Sequence, residues 1–223
     1  MRLFLAALAL VVCLLVALPN AERGEAKGKP PPKTPTPTPT ATATPAPLPP
    51  VYVLASWDCI DTMPQHYRIN LAYAPPNFDV EIFTAVAEYE NLPDSAIDFI
   101  FDGYTDAEPT QLYGTGLKVI GFSTNASPGF LAGPNCWGTG EWSVVFNPQY
   151  IFNCGQGTPF SGYDCRAVLL HELGHILGLD HIDSAVPPGT CPYAASPMCA
   201  GTPPAIRKHL TAGEQAGMVV LFP

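Results

Sequence analysis

The sequence predicts an α+β domain, and three observations carry that prediction: strand-like alternation from Tyr67 to Tyr73, a helical stripe between Asn77 and Glu90, and an apolar helix from Cys165 to Leu177 that bears two histidines. In Tyr67-Arg68-Ile69-Asn70-Leu71-Ala72-Tyr73 large apolar residues alternate with others, the period of a half-buried strand, and Pro75 and Pro76 stop it. From Asp79 the period changes. Val80, Phe83, Val86 and Ala87 recur at helical spacing, Ile82 and Tyr89 widen the stripe, and Asn77 or Asp79 is the expected cap. Ile97 to Phe101 and Lys118 to Phe122 read as two further short strands, followed by glycine-rich turns. Trp142 to Phe146 reads as a strand, at an edge or in the interior of a sheet. The loop from Asn147 to Gly162 leads to Asp164, the expected N-cap of the helix Cys165 to Leu177, whose Leu169, Leu173 and Ile176 share the face opposite the histidines. Beyond His181 an irregular stretch rich in proline, glycine and alanine runs to Thr211. Thr211 and Glu214 have capping-box spacing and open a last helix from Ala212 to about Leu221, in which Met218 and Val219 read as core.

The 223 residues divide by composition into three parts. Residues 1–21 hold Arg2, an unbroken apolar run from Leu3 to Leu18 and a polar end at Asn20, the pattern of a secretory signal cleaved near Ala21. The alternative is an uncleaved signal anchor, which would keep the protein at a membrane. Residues 22–50 pass from short charged residues to alternating Pro-Thr, which favours an extended, disordered spacer with no apolar side chains to form a core. Residues 51–223 are the globular domain. It carries five basic residues against 17 acidic ones, a balance that argues against a nucleic-acid partner. Six of the seven cysteines lie in this domain, and an even number behind a signal favours disulfides. Cys191 with Cys199 is the pairing expected from proximity, since the two bracket a proline-rich loop.

One stretch decides the chemistry: His171-Glu172-Leu173-Gly174-His175-Ile176-Leu177-Gly178-Leu179-Asp180-His181. Residues four apart on a helix share a face, so His171 and His175 can converge on one ion. A glycine at 178 can take positive φ, end the helix and return His181 as third ligand. Three protein ligands leave a fourth position for water, the mark of a catalytic rather than a structural zinc site. In that setting a single Zn²⁺ lowers the water's pKa and Glu172 serves as general base.

With these residues, the chain resembles the metzincin zinc proteases, most closely their matrixin (matrix metalloprotease-like) branch. The likeness is sharpest from Asp164 to Leu221, and the eleven-residue zinc stretch is similar to the matrixin helix almost letter for letter. The resemblance implies a twisted mixed β-sheet with two long helices, and a C-terminal subdomain carrying a methionine turn and the final helix. Met198, the only methionine between His181 and that helix, would be the turn's methionine, packing beneath the imidazoles without binding zinc. In a zincin, the strand Trp142 to Phe146 at the cleft edge would pair with extended substrate; an interior strand would not.

The resemblance also has departures. Ile182 stands where matrixins usually carry serine or threonine. His66 and His209 are the domain's only other histidines, so the second, structural zinc of vertebrate matrixins is not expected. No cysteine follows Cys13 before the domain, so neither is a cysteine switch. Ca²⁺ could bind around Asp98, Asp102 and Asp106; the competing reading of those acids is a solvated loop face.

The leading expectation is a secreted zinc endopeptidase acting on protein or peptide substrates. Two rivals remain: a non-catalytic zinc-stabilised binding module displayed on a Pro/Thr stalk, and a zinc amidase acting on non-peptide amides.

Overall fold

The chain folds around a five-stranded mixed sheet because one crossover helix joins two of its parallel strands. In a computed structural model, residues 52–56, 59–60, 62–138, 140–155, 162–182, 196–199 and 209–223 are described. The segments 1–21 and 22–50 lie outside them, as does Cys191. The described residues belong to one compact unit. In chain order the elements are β1 (Val53–Leu54), β2 (Gln65–Asn70), α1 (Phe78–Glu90), β3 (Phe99–Tyr104), β4 (Lys118–Phe122), β5 (Ala132–Trp137), β6 (Glu141–Phe146), β7 (Phe152–Asn153), β8 (Tyr163–Asp164), α2 (Cys165–Ile176), β9 (Leu179–Asp180) and α3 (Ala212–Leu221). The large sheet runs β3-β2-β4-β6-β5, with β5 antiparallel to β6 and the other pairs parallel. Two small ladders accompany it, β1 with β9 and β7 with β8.

Every residue of β6 is buried, as expected for a strand covered on both faces. It lies between β4 and β5, so the reading of Trp142 to Phe146 as an edge strand is corrected to interior. The edge is β5. Alternation could not reveal it, because Gly133, Pro134 and Asn135 are poor strand formers, and proline is tolerated mainly at sheet edges.

Other boundaries move for local reasons. β2 ends at Asn70 rather than at the prolines: Asn70 Oδ1 accepts the Ala72 N–H at 2.7 Å and its Nδ2 donates to the Ala107 carbonyl at 2.8 Å, closing a turn. β3 starts at Phe99, whose N–H donates to Glu90 at 2.9 Å, and continues past Phe101 to Tyr104. There the register slips between Tyr67 and Ile69, and Gly103 at φ 104° absorbs the extra residue as a bulge.

The buried stripe of α1 is Phe78, Ile82, Ala85, Val86 and Tyr89. The expected stripe was therefore rotated: Val80 is 53% exposed and Phe83 38%. Phe78 explains the phase, because its ring meets Phe122 of β4 and Phe146 of β6 at 4.9 and 5.1 Å. Asn77 is the N-cap residue, at φ 66° and without a side-chain cap; Asp79 instead accepts from Val80 N and from the Tyr104 hydroxyl.

Helix α2 packs against α1 and the sheet, and a partly buried Arg166–Glu81 pair at 2.7 Å joins the two helices. Leu169, Leu173 and Ile176 are fully buried, as read from the sequence, and so is Leu170, so α2 is enclosed on more than its expected back face. α3 begins with the expected capping box, Thr211 with Glu214, and its Met218 is fully buried.

Disulfides Cys59–Cys136 and Cys154–Cys165 tie the segment before β2 to β5 and the loop after β7 to the start of α2. Cys199 is also disulfide-bonded, but the expected partner Cys191 falls outside the described residues. Disulfides suit an oxidising, extracellular environment. No described helix is long and apolar enough to cross a membrane.

Asp164 caps α2 by accepting the Ala167 N–H at 3.0 Å. Asp164→Ala should therefore lower unfolding free energy by about 1 kcal/mol, measured by urea denaturation; an unchanged midpoint would show that the cap carries no stability.

Candidate metal centre

Three local devices bring His171, His175 and His181 together. Helical spacing puts the first two on one face of α2. Gly178, at φ 94°, then takes a conformation that side-chain-bearing residues rarely adopt and turns the chain out of the helix. Its N–H donates to the His175 carbonyl at 3.0 Å, and its own carbonyl accepts from Ala55 at 2.8 Å. Pairing of Leu179 and Asp180 with β1 holds the returning strand, and His181 follows it directly.

The three Nε2 atoms lie 3.1 Å (His171–His175), 3.0 Å (His175–His181) and 3.1 Å (His171–His181) apart. His171 Nδ1 faces the Pro197 carbonyl at 2.7 Å and His175 Nδ1 faces that of Leu179 at 2.8 Å. A ring nitrogen facing a carbonyl oxygen must donate, so in the neutral rings each Nε2 keeps its lone pair. Lone pairs converging at this distance need a cation between them, and carbonyls behind the rings are the usual second shell of metal-bound histidine. The donor set fits one metal ion; imidazole ligands suit zinc, copper, iron and nickel. Among the described residues this is the one group of at least three potential ligands so arranged.

The acids considered for calcium do not form such a group. Asp102 instead pairs with His66 at 2.9 Å, on the neighbouring strand. His209 pairs with Glu88 at 3.1 Å.

Glu172 is 6% exposed, and burial pushes its pKa up to about 8. Burial likewise lowers that of His175, with His181 adding to the effect and the Leu179 carbonyl and Asp180 opposing it.

Met198 is buried against α2. A Cβ built on Gly174 would lie 2.5 Å from the Met198 sulfur and 3.1 Å from the Tyr89 hydroxyl, which accounts for glycine one residue before His175. Ile182, the residue that departs from the matrixin pattern, is buried and donates its N–H to the Met198 carbonyl at 3.0 Å. Sequence reading places Tyr89 only in the apolar stripe of α1 and misses its hydroxyl, which donates to the Leu170 carbonyl at 2.6 Å, and it misses the contacts of the turn residues Ser196 and Pro197. A glycine inside an apolar helix was the available signal of close packing at 174. Nothing comparable marks Ser196 or Pro197, because their contacts are long-range.

No protein-family model matches the chain, and no curated protein matches it.

Two outcomes follow from this packing. Gly174→Ala should lower stability by about 1–3 kcal/mol despite alanine's better helix propensity, since the Met198 tail is enclosed; an unchanged denaturation midpoint would show that it can move aside. In metal-free protein, Glu172 holds a proton between pH 4.5 and about 8 that the unfolded chain has lost. Glu172's contribution to folding stability must then fall as pH rises through that window. Glu172→Gln does not titrate, so its stability advantage over wild type should grow from pH 5 to pH 8, to on the order of 3–5 kcal/mol. An advantage equal at both pH values in chelator-treated protein would contradict a buried, proton-holding carboxyl.

Proposed function

We propose that the chain is a secreted zinc endopeptidase of metzincin type, matrixin-like, hydrolysing internal bonds of protein or peptide substrates. The observation that carries this reading is the three-imidazole cluster with Glu172, a nearly buried carboxyl, next to His171 on the same helix. His171, His175 and His181 would hold the ion. When bound, Zn²⁺ supplies Lewis acidity, acidifying water and polarising the scissile carbonyl. Glu172 takes the proton of the attacking water and passes it to the leaving amine, so it acts first as base and then as acid.

Several features support the family reading. A mixed sheet, two packed helices and a final capped helix agree with the architecture that the resemblance implies. Met198 packs against the histidine-bearing helix, consistent with a methionine turn. Extended substrate would add to the edge of β5, one of the sheet's two end strands and the one against which α2 packs. The interior strand β6 cannot serve that purpose.

Glu172→Ala should retain one equivalent of zinc and lose roughly 10²–10⁴-fold in casein cleavage, the range for removing a general acid–base. Undiminished cleavage by this variant would exclude Glu172 as the base. Metal-loaded wild type inactive on a broad peptide library would favour the binding-module reading, and cleavage confined to small amides would favour the amidase.

A further inference from the structure

We propose that Ser196 and Glu214 are positioning residues of the metal centre, a buried hydroxyl–carboxylate relay that aims the Pro197 carbonyl at His171. This rests on the reading of the histidine cluster as a zinc site. Ser196 and Glu214 are both fully buried. The Ser196 hydroxyl donates to Glu214 Oε1 and accepts the Met198 N–H at 3.0 Å. It thus closes the turn Ser196-Pro197-Met198 upon itself and fastens it to α3. The other carboxylate oxygen of Glu214 accepts from Thr211 N at 2.8 Å and from the Thr211 hydroxyl. One carboxylate therefore caps a helix with one oxygen and anchors the turn with the other.

The anchored turn reaches all three histidine positions. The Pro197 carbonyl orients the His171 ring, the Met198 side chain fills the space at Gly174 beside His175, and the Met198 carbonyl holds Ile182 next to His181. Proline at 197 has no N–H to donate, so the turn's backbone donor is the Met198 amide, and the Ser196 hydroxyl accepts it. A charged acceptor makes the Ser196 link stronger than a neutral hydrogen bond. Loss of the hydroxyl frees the turn to move, and the His171 ring loses its fixed acceptor.

Zinc affinity of the full chain, measured by competition with a chromophoric chelator, tests the relay without any protease assay. Ser196→Ala should weaken zinc binding by about 10–100-fold, the usual effect of removing an outer-shell partner. Ser196→Thr, which keeps the hydroxyl, should restore affinity to within about threefold. Val119→Ala, a core truncation in β4 distant in sequence from the turn, controls for general destabilisation and should lower the melting temperature with affinity unchanged. Ser196→Ala within about threefold of wild type would overturn the relay, as would an equal loss of affinity in Val119→Ala. Wild type that takes up no zinc would overturn the zinc reading along with the relay, whereas an inactive wild type that binds zinc would leave the relay standing and remove only the protease.

Discussion

Three imidazole nitrogens meeting within 3.1 Å in a partly buried site are the constraint on which the rest of the structure depends. Two of the rings are held from behind by backbone carbonyls, so their lone pairs cannot turn away from one another. The elements that supply those carbonyls come from different parts of the chain. Leu179 belongs to the strand that leaves α2 after Gly178, and Pro197 to a turn tied to α3. Helix, strand and turn must all be in place before the nitrogens converge.

Burial sets the chemistry at the same place. α2 is enclosed because Leu169, Leu170, Leu173 and Ile176 pack into the core, and that enclosure also removes water from Glu172. A carboxyl in such a position favours its protonated form until a positive charge arrives, so ion binding and proton release are coupled. The same packing that stabilises the helix thus tunes its one acidic side chain. The disulfide Cys154–Cys165 fastens the first residue of this helix, and Arg166 pairs with Glu81 one residue further on, so its start is braced covalently and electrostatically.

The parts legible in the sequence were those governed by local rules. Spacing identified the histidines, glycine at 178 signalled the positive φ that returns His181, and Asp164 and Thr211 marked helix starts through their capping chemistry. What escaped depends on tertiary context. β5 contains glycine and proline and becomes a strand only because β6 offers a partner; the stripe of α1 was misphased because Phe78 stands at the helix's first position, ahead of the apparent repeat. Gln65 and His66 belong to β2 although neither is a strong strand former, because pairing with Phe99 and Ile100 draws them in. Ser196 and Glu214 are 18 residues apart with no periodic relation, so no local pattern could join them.

The central claim is that His171, His175 and His181 together hold one ion. X-ray absorption at the zinc edge of zinc-loaded protein tests it most directly. Three imidazole nitrogens around a single zinc, reduced to two in His181→Ala, is the expected result. Sulfur ligation, or a wild-type imidazole count that His181→Ala leaves unchanged, would contradict it.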